Sequence, residues 1–120
     1  MSTRKKLLVV DDEQPVLELF REVLQKHGHQ VDVAENGRNG FRKAVTHAYD
    51  CVICDLYMPE WNGVDSIKAI LLVKPESTFI VVSGYFQKVV ADELRGMKEV
   101  LAVLGKPINF SELLEHIAHT

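Results

Sequence analysis

The sequence predicts an α/β fold, a five-stranded parallel sheet with helices on both faces. Three observations predict it. Strand-like and helix-like segments alternate along the chain in five β-α units. The runs Leu7–Val10, Cys51–Cys54 and Phe79–Val82 are apolar throughout, as strands buried on both faces are. The 120 residues are 47% apolar, which supports one domain with a real core and is too short for two, so a single domain over residues 1–120 is expected.

Each element has its own signal. Leu7–Val10 is the first strand and stops at Asp11-Asp12. Glu13-Gln14-Pro15 opens the first helix, since proline suits the first turn and an acid suits the positive helix start. Val16, Leu17, Phe20, Val23 and Leu24 then recur at helical spacing, and Gly28 stops the run. Val31-Asp32-Val33 alternates as a second strand ending at Ala34, and Asn36-Gly37 reads as a turn before a helix led by Phe41, Ala44 and Val45. Asp50–Cys54 is the third strand. Met58–Gly63 reads as a loop, and Val64, Ile67, Ile70 and Leu71 mark the third helix, closed by Lys74-Pro75-Glu76. Thr78–Val82 is the fourth strand and Gln87–Met97 the fourth helix. Val100–Leu104 is the fifth strand, and Asn109 or Ser111 caps a last helix carrying Leu113, Leu114 and Ile117.

Composition excludes several classes. Net charge is −3, against the basic stripe of a nucleic-acid binder. Arg4-Lys5-Lys6 is the only basic run and reads as a solvated start to the first strand, not a membrane patch. No apolar stretch approaches membrane-spanning length, and the four apolar residues after Lys6 are too few for a signal-peptide core; a cytoplasmic location is expected. Cys51 and Cys54 sit three apart on a strand, so they point to opposite faces and share neither a disulfide nor a metal. The five histidines, including His27, His29 and the pair His116 and His119 on the last helix, read as incidental surface residues.

The strand ends are the informative places. Asp11-Asp12, Asp55, Ser83-Gly84 and Lys106-Pro107 each follow an apolar run. In a parallel sheet they gather at the carboxyl edge, where open α/β sheets bind ligands. Singly, each has an ordinary reading as a helix cap or turn; together, in order, they point to a site. Two carboxylates ~4 Å apart repel by ~1 kcal/mol in water and about 4 kcal/mol at an effective dielectric of 20, so three acids need cations. Lys106 supplies one charge, and a hard divalent ion such as Mg²⁺, which prefers oxygen ligands, supplies two. Mg²⁺, a lysine and the Ser83 hydroxyl suit a phosphoryl group, and with no thiol or Ser–His pair at a strand end the nucleophile is a carboxylate.

With Leu7–Asp12, Asp55–Pro59, Gly63, Val82–Gly84 and Lys106-Pro107 in place, the whole chain resembles the receiver domains of two-component response regulators. That resemblance implies a flavodoxin-like, doubly wound sheet of strand order 2-1-3-4-5. It implies Asp55 as acceptor of a phosphoryl group from a histidine kinase or phosphotransfer protein. Asp12 would ligate Mg²⁺ directly, Asp11 through water, and Asp55 and the backbone carbonyl of Tyr57 would complete the protein ligands. Lys106 would pair with Asp55 and then with the phosphoryl oxygens, and Ser83 would turn in to hydrogen-bond them. A cis Lys106–Pro107 bond is implied too. Such a domain is no enzyme in the ordinary sense, since it catalyses only its own phosphorylation and dephosphorylation. It would signal to an output domain or target through the fourth helix, fifth strand and fifth helix, without direct nucleic-acid or membrane contact.

Four positions depart from or refine that pattern. Val103 stands where many receivers carry a swinging Tyr or Phe, and valine is stiff. Tyr57 and Tyr85 flank the expected phosphoryl group, and their bulk predicts slow hydrolysis. Trp61 is expected at the rim of the site. Two other readings compete: a receiver-like interaction module that works without phosphorylation, which the intact acid set opposes, and a haloacid-dehalogenase-type phosphatase, which wants an acid at the position of Tyr57.

Overall fold

Alternate residues of the central strands serve two separate cores, and that alternation fixes the architecture. The computed structural model describes residues 4–59, 61–84 and 88–120, with Trp61 and Lys88 described by backbone alone. Strands β1 (Lys6–Val10), β2 (Gln30–Ala34), β3 (Cys51–Asp55), β6 (Phe79–Ser83) and β7 (Val100–Gly105) form one parallel sheet ordered β2-β1-β3-β6-β7. Counted within that sheet alone, the order is the expected 2-1-3-4-5. Between β3 and β6 lies a two-residue antiparallel ladder, β4 (Tyr57–Met58) with β5 (Trp61–Asn62), where the sequence suggests only a loop. Segments this short fall below the reach of any periodicity.

Leu8, Val10, Val52, Cys54, Phe79 and Val81 face helices α2 (Gly37–Thr46), α3 (Gly63–Val73) and α4 (Lys88–Arg95). Leu7, Val9, Cys51, Ile53, Ile80 and Val82 face α1 (Gln14–Lys26) and α5 (Phe110–Ala118). Each such fully buried side chain contributes roughly 1.5–3 kcal/mol. The two cysteines therefore sit in different cores, as their spacing predicts, and burial pushes the Cys51 thiol up to about 12 and the Cys54 thiol further up. Phe20 of α1 meets Phe110 of α5 edge to face, ring centres 5.4 Å apart, tying the helices over the second core.

Caps and glycines set the helix ends. Asn36 is not a turn residue but the N-cap of α2: its side chain accepts the Asn39 N–H at 2.8 Å, so the helix begins earlier than the apolar positions suggest. Asn62 caps α3 in the same way and Asn109, rather than Ser111, caps α5. Gly28 follows α1 with φ of +89°, a conformation that strains other residues by about 1–2 kcal/mol. At Gly63 a β-carbon would lie 2.6 Å from Leu56 Cδ1 and 3.0 Å from the Leu56 carbonyl oxygen, so glycine alone lets α3 start against the residue after Asp55. The fourth helix is shorter than the sequence suggests, and Gln87 lies outside the described residues. No helix among the described residues is long and apolar enough to cross a membrane.

Candidate functional site

The parallel register carries the polar residues to one edge. Val10 is level with Cys54, Asp55 with Val82 and Ser83 with Gly105. Backbone bonds extend the ladder past the strands: the Asp11 N–H donates to the Ala34 carbonyl at 3.1 Å, and the Lys106 N–H to the Ser83 carbonyl at 2.9 Å. Asp11, Asp55, Ser83 and Lys106 thus come from four neighbouring strands. The Lys106–Pro107 bond is cis.

Three polar residues of this edge are buried: Asp11 is 1% exposed, Ser83 1% and Asp55 7%, whereas Asp12 is open to solvent. Burying a carboxylate is costly unless it is paired and hydrogen-bonded. Both are. The Lys106 ammonium donates to Asp11 Oδ2 at 2.8 Å and to Asp55 Oδ2 at 2.9 Å. The other oxygens accept backbone donors two residues on: Asp11 Oδ1 from the Glu13 N–H at 2.9 Å, and Asp55 Oδ1 from the Tyr57 N–H at 3.0 Å. Burial pulls the Lys106 pKa down, but its hydrogen bonds and attraction to Asp11 and Asp55 outweigh that and hold it above the usual lysine value.

Oxygen atoms of Asp11, Asp12 and Asp55 lie within 4.8 Å of one another. Three carboxylates against one ammonium leave the cluster at −2, and the donors are all hard oxygens, so the set fits a divalent cation such as Mg²⁺. Tyr57 stands beside the cluster and is 41% exposed. Val103, opposite Val81 on β7, packs half-buried against the core beneath α2, α3 and α4. Tyr85 lies outside the described residues, as does the side chain of Trp61.

Residues 7–118 match the family profile of the response regulator receiver domain. The chain belongs to that family. Among curated receiver relatives, the chemotaxis protein CheY of Thermotoga maritima is 31% identical over 117 residues, 95% of this chain and 98% of CheY. The transcriptional regulatory protein CusR of Escherichia coli is 32% identical over 93% of this chain, but the match spans only 49% of CusR. Among solved structures, the response regulator TrrA of Thermotoga maritima, in complex with Mg²⁺-BeF, superposes with a TM-score of 0.83 at 33% identity, covering 96% of this chain and 97% of TrrA. The receiver fold thus accounts for the sheet order, and two-component signalling is the family's setting.

The structure brings Asp11, Asp12, Asp55 and Lys106 together and buries Ser83 at the end of β6, and it adds two supports that sequence reasoning missed. The Glu13 and Tyr57 N–H groups that hold the carboxylates belong to the backbone and leave no residue-type signal. Aspartate's habit of bonding the N–H two residues on, at a strand end followed by a turn, is the trace that points to them. The histidines stay away from the site; His29 Nδ1 instead accepts the Lys5 N–H at 3.1 Å.

Proposed function

We propose that this receiver domain is a phosphorylation-controlled switch in which Asp55 accepts a phosphoryl group from a histidine kinase or phosphotransfer protein. The observation that carries the reading is the buried Asp55 carboxylate, oriented by the Tyr57 N–H and balanced by Lys106 at 2.9 Å. An Asp55 oxygen attacks phosphorus, an O–P bond forms, and the donor's N–P bond breaks with the electron pair leaving on the histidine nitrogen. Asp11, Asp12, Asp55 and the Tyr57 carbonyl would hold Mg²⁺. When bound, that ion would offset charge on the phosphoryl oxygens. The Mg²⁺-BeF complex of TrrA supports this assignment by similarity.

Lys106 holds the acceptor before transfer and meets the phosphoryl oxygens after it. Ser83, buried one strand away, turns its hydroxyl to the same group. Modification adds about −1.5 to −2 charge at the edge, and Lys106 redistributes its contacts in response. The signal leaves through α4, β7 and α5 toward an output domain or target protein. Val103 on β7 is too stiff to swing as an aromatic would, so the usual aromatic switch is absent from this route. The reading makes the domain a switch acting only on its own Asp55, and it goes with a cytoplasmic location.

Mass spectrometry after incubation with Mg²⁺ and acetyl phosphate tests it. One added phosphoryl group is expected on the parent and none on Asp55→Asn or without Mg²⁺. An unmodified parent would point instead to an interaction module that works without phosphorylation.

A further inference from the structure

Helix α2 gathers the positive charge of an otherwise acidic chain. Residues 36–49 contain Arg38, Arg42 and Lys43 and no acid, so they carry +3 while the remaining residues carry −6, for a total of −3. Three exposed cations on other helices find carboxylates: Arg21 lies near Glu18, Lys68 near Glu93 and Arg95 near Asp92. On α2, among the described residues, none does. Arg42 donates to the Asn39 side chain at 2.7 Å and Lys43 to the Val33 carbonyl at 2.6 Å, both neutral acceptors. The nearest acid in sequence, Glu35, accepts from Gln14 at 2.6 Å toward α1.

Two cavities flank Arg42. One, about 610 Å³, is lined by Arg38, Arg42, Asn36, Phe41, Pro59 and Ser66. The other, about 380 Å³, runs on past Lys43 to Thr46 and His47. Both are lined by Asn39 and Arg42, so together they form a trough along the helix. Ten residues of helix span about 15 Å, the reach of about five residues of extended chain. Phe41 and Pro59 add apolar lining beside Arg38 and Arg42.

We propose that this face of α2 is a docking surface for an acidic segment of another protein, in which carboxylates meet Arg38 and Arg42 and an apolar side chain rests on Phe41 and Pro59. Guanidinium forks bind carboxylates in pairs of parallel hydrogen bonds, which favours Arg over Lys at such a contact. A nucleic acid fits less well, because its continuous charge would also face the −6 of the surrounding chain. A membrane fits less well too: the large exposed apolar side chains described, Leu19, Tyr57, Leu72, Val73 and Val89, all lie off α2.

The test is an NMR titration of the whole chain with a short peptide of Glu-Glu-Leu repeats, at low and physiological salt. Amide shifts should cluster on α2 and around Pro59, and affinity should fall as salt rises. The charge reversal R38E/R42E should weaken binding by about tenfold or more, and transfer preference to a Lys-Lys-Leu peptide. Its thermal unfolding and acetyl phosphate labelling should match the parent, because neither arginine touches the core or the carboxylate cluster. Equal binding by the reversed variant, shifts centred on Arg4-Lys5-Lys6, or stronger α2-dependent binding of a DNA duplex or phosphatidylserine vesicles would each overturn the proposal.

Discussion

Asp11 and Asp55 are held in the same way. Each gives one oxygen to the backbone N–H two residues on, and the other to the single ammonium of Lys106, at 2.8 Å and 2.9 Å. Two buried acids sharing one cation form a unit that cannot lose a member quietly. Removing one partner of a buried pair leaves the other charge stranded, and that loss exceeds the net worth of the pair itself.

Lys106→Met should therefore destabilise the domain by about 2–4 kcal/mol, measured by urea unfolding without metal. Mg²⁺ should raise the melting temperature of the variant more than that of the parent, since the ion then supplies the missing countercharge. A loss under about 0.5 kcal/mol would mean that solvent already screens Asp11 and Asp55.

Asp12 makes the opposite case. It is exposed and adds a third negative charge within 4.8 Å of the other two acids. Without Mg²⁺, Asp12→Asn should raise stability, by about 1 kcal/mol at most because the charge is solvated. The same change should abolish metal-dependent phosphorylation of Asp55. Unchanged or lower stability would show the repulsion to be relieved already by Lys106.

This contrast bears on what a sequence can reveal. That Asp11, Asp12, Asp55, Ser83 and Lys106 lie at one sheet edge was legible, because each follows an apolar run and parallel strands align their ends. That Lys106 divides itself between Asp11 and Asp55 was not, since it depends on register to within a residue: Ser83 opposite Gly105, past an irregularity between Phe79 and Ile80. The helices were legible from their spacing, but their starts less so. Asn36 carries both a turn signal and a capping signal, and only the path of the chain decides between them. The Tyr57–Met58 ladder with Trp61–Asn62 rests on two residues a side, too few to show a period.

His29 gives a pH dependence remote from the site. Its Nδ1 accepts the Lys5 N–H, which requires the ring nitrogen to be unprotonated. Burial first, then the His27 and Lys5 charges, lower its pKa from 6.5. The folded chain disfavours the proton, so the His29 contribution is complete above the unfolded value of 6.5, is lost as pH falls from there through the lower folded value, and is level beneath it. His29→Gln should keep an acceptor for Lys5 and shrink the drop in melting temperature between about pH 7.5 and about pH 5. An identical drop in both proteins would assign that acid sensitivity to other groups.

Tyr57 should set how long the phosphoryl group lasts. Its backbone N–H orients Asp55, and the residue is 41% exposed beside the cluster. Hydrolysis needs a water in line with the O–P bond, and a bulky side chain at position 57 should narrow that approach. Phosphorylated parent should hold its phosphoryl group for minutes or longer. Tyr57→Asn keeps the backbone donor but removes the ring, so it should shorten the lifetime by about tenfold with little change in melting temperature. Labelled phosphate release, followed after removal of the donor, measures both. A parent half-life of seconds, or a variant as slow as the parent, would show that water reaches Asp55 by a path the Tyr57 ring does not cover.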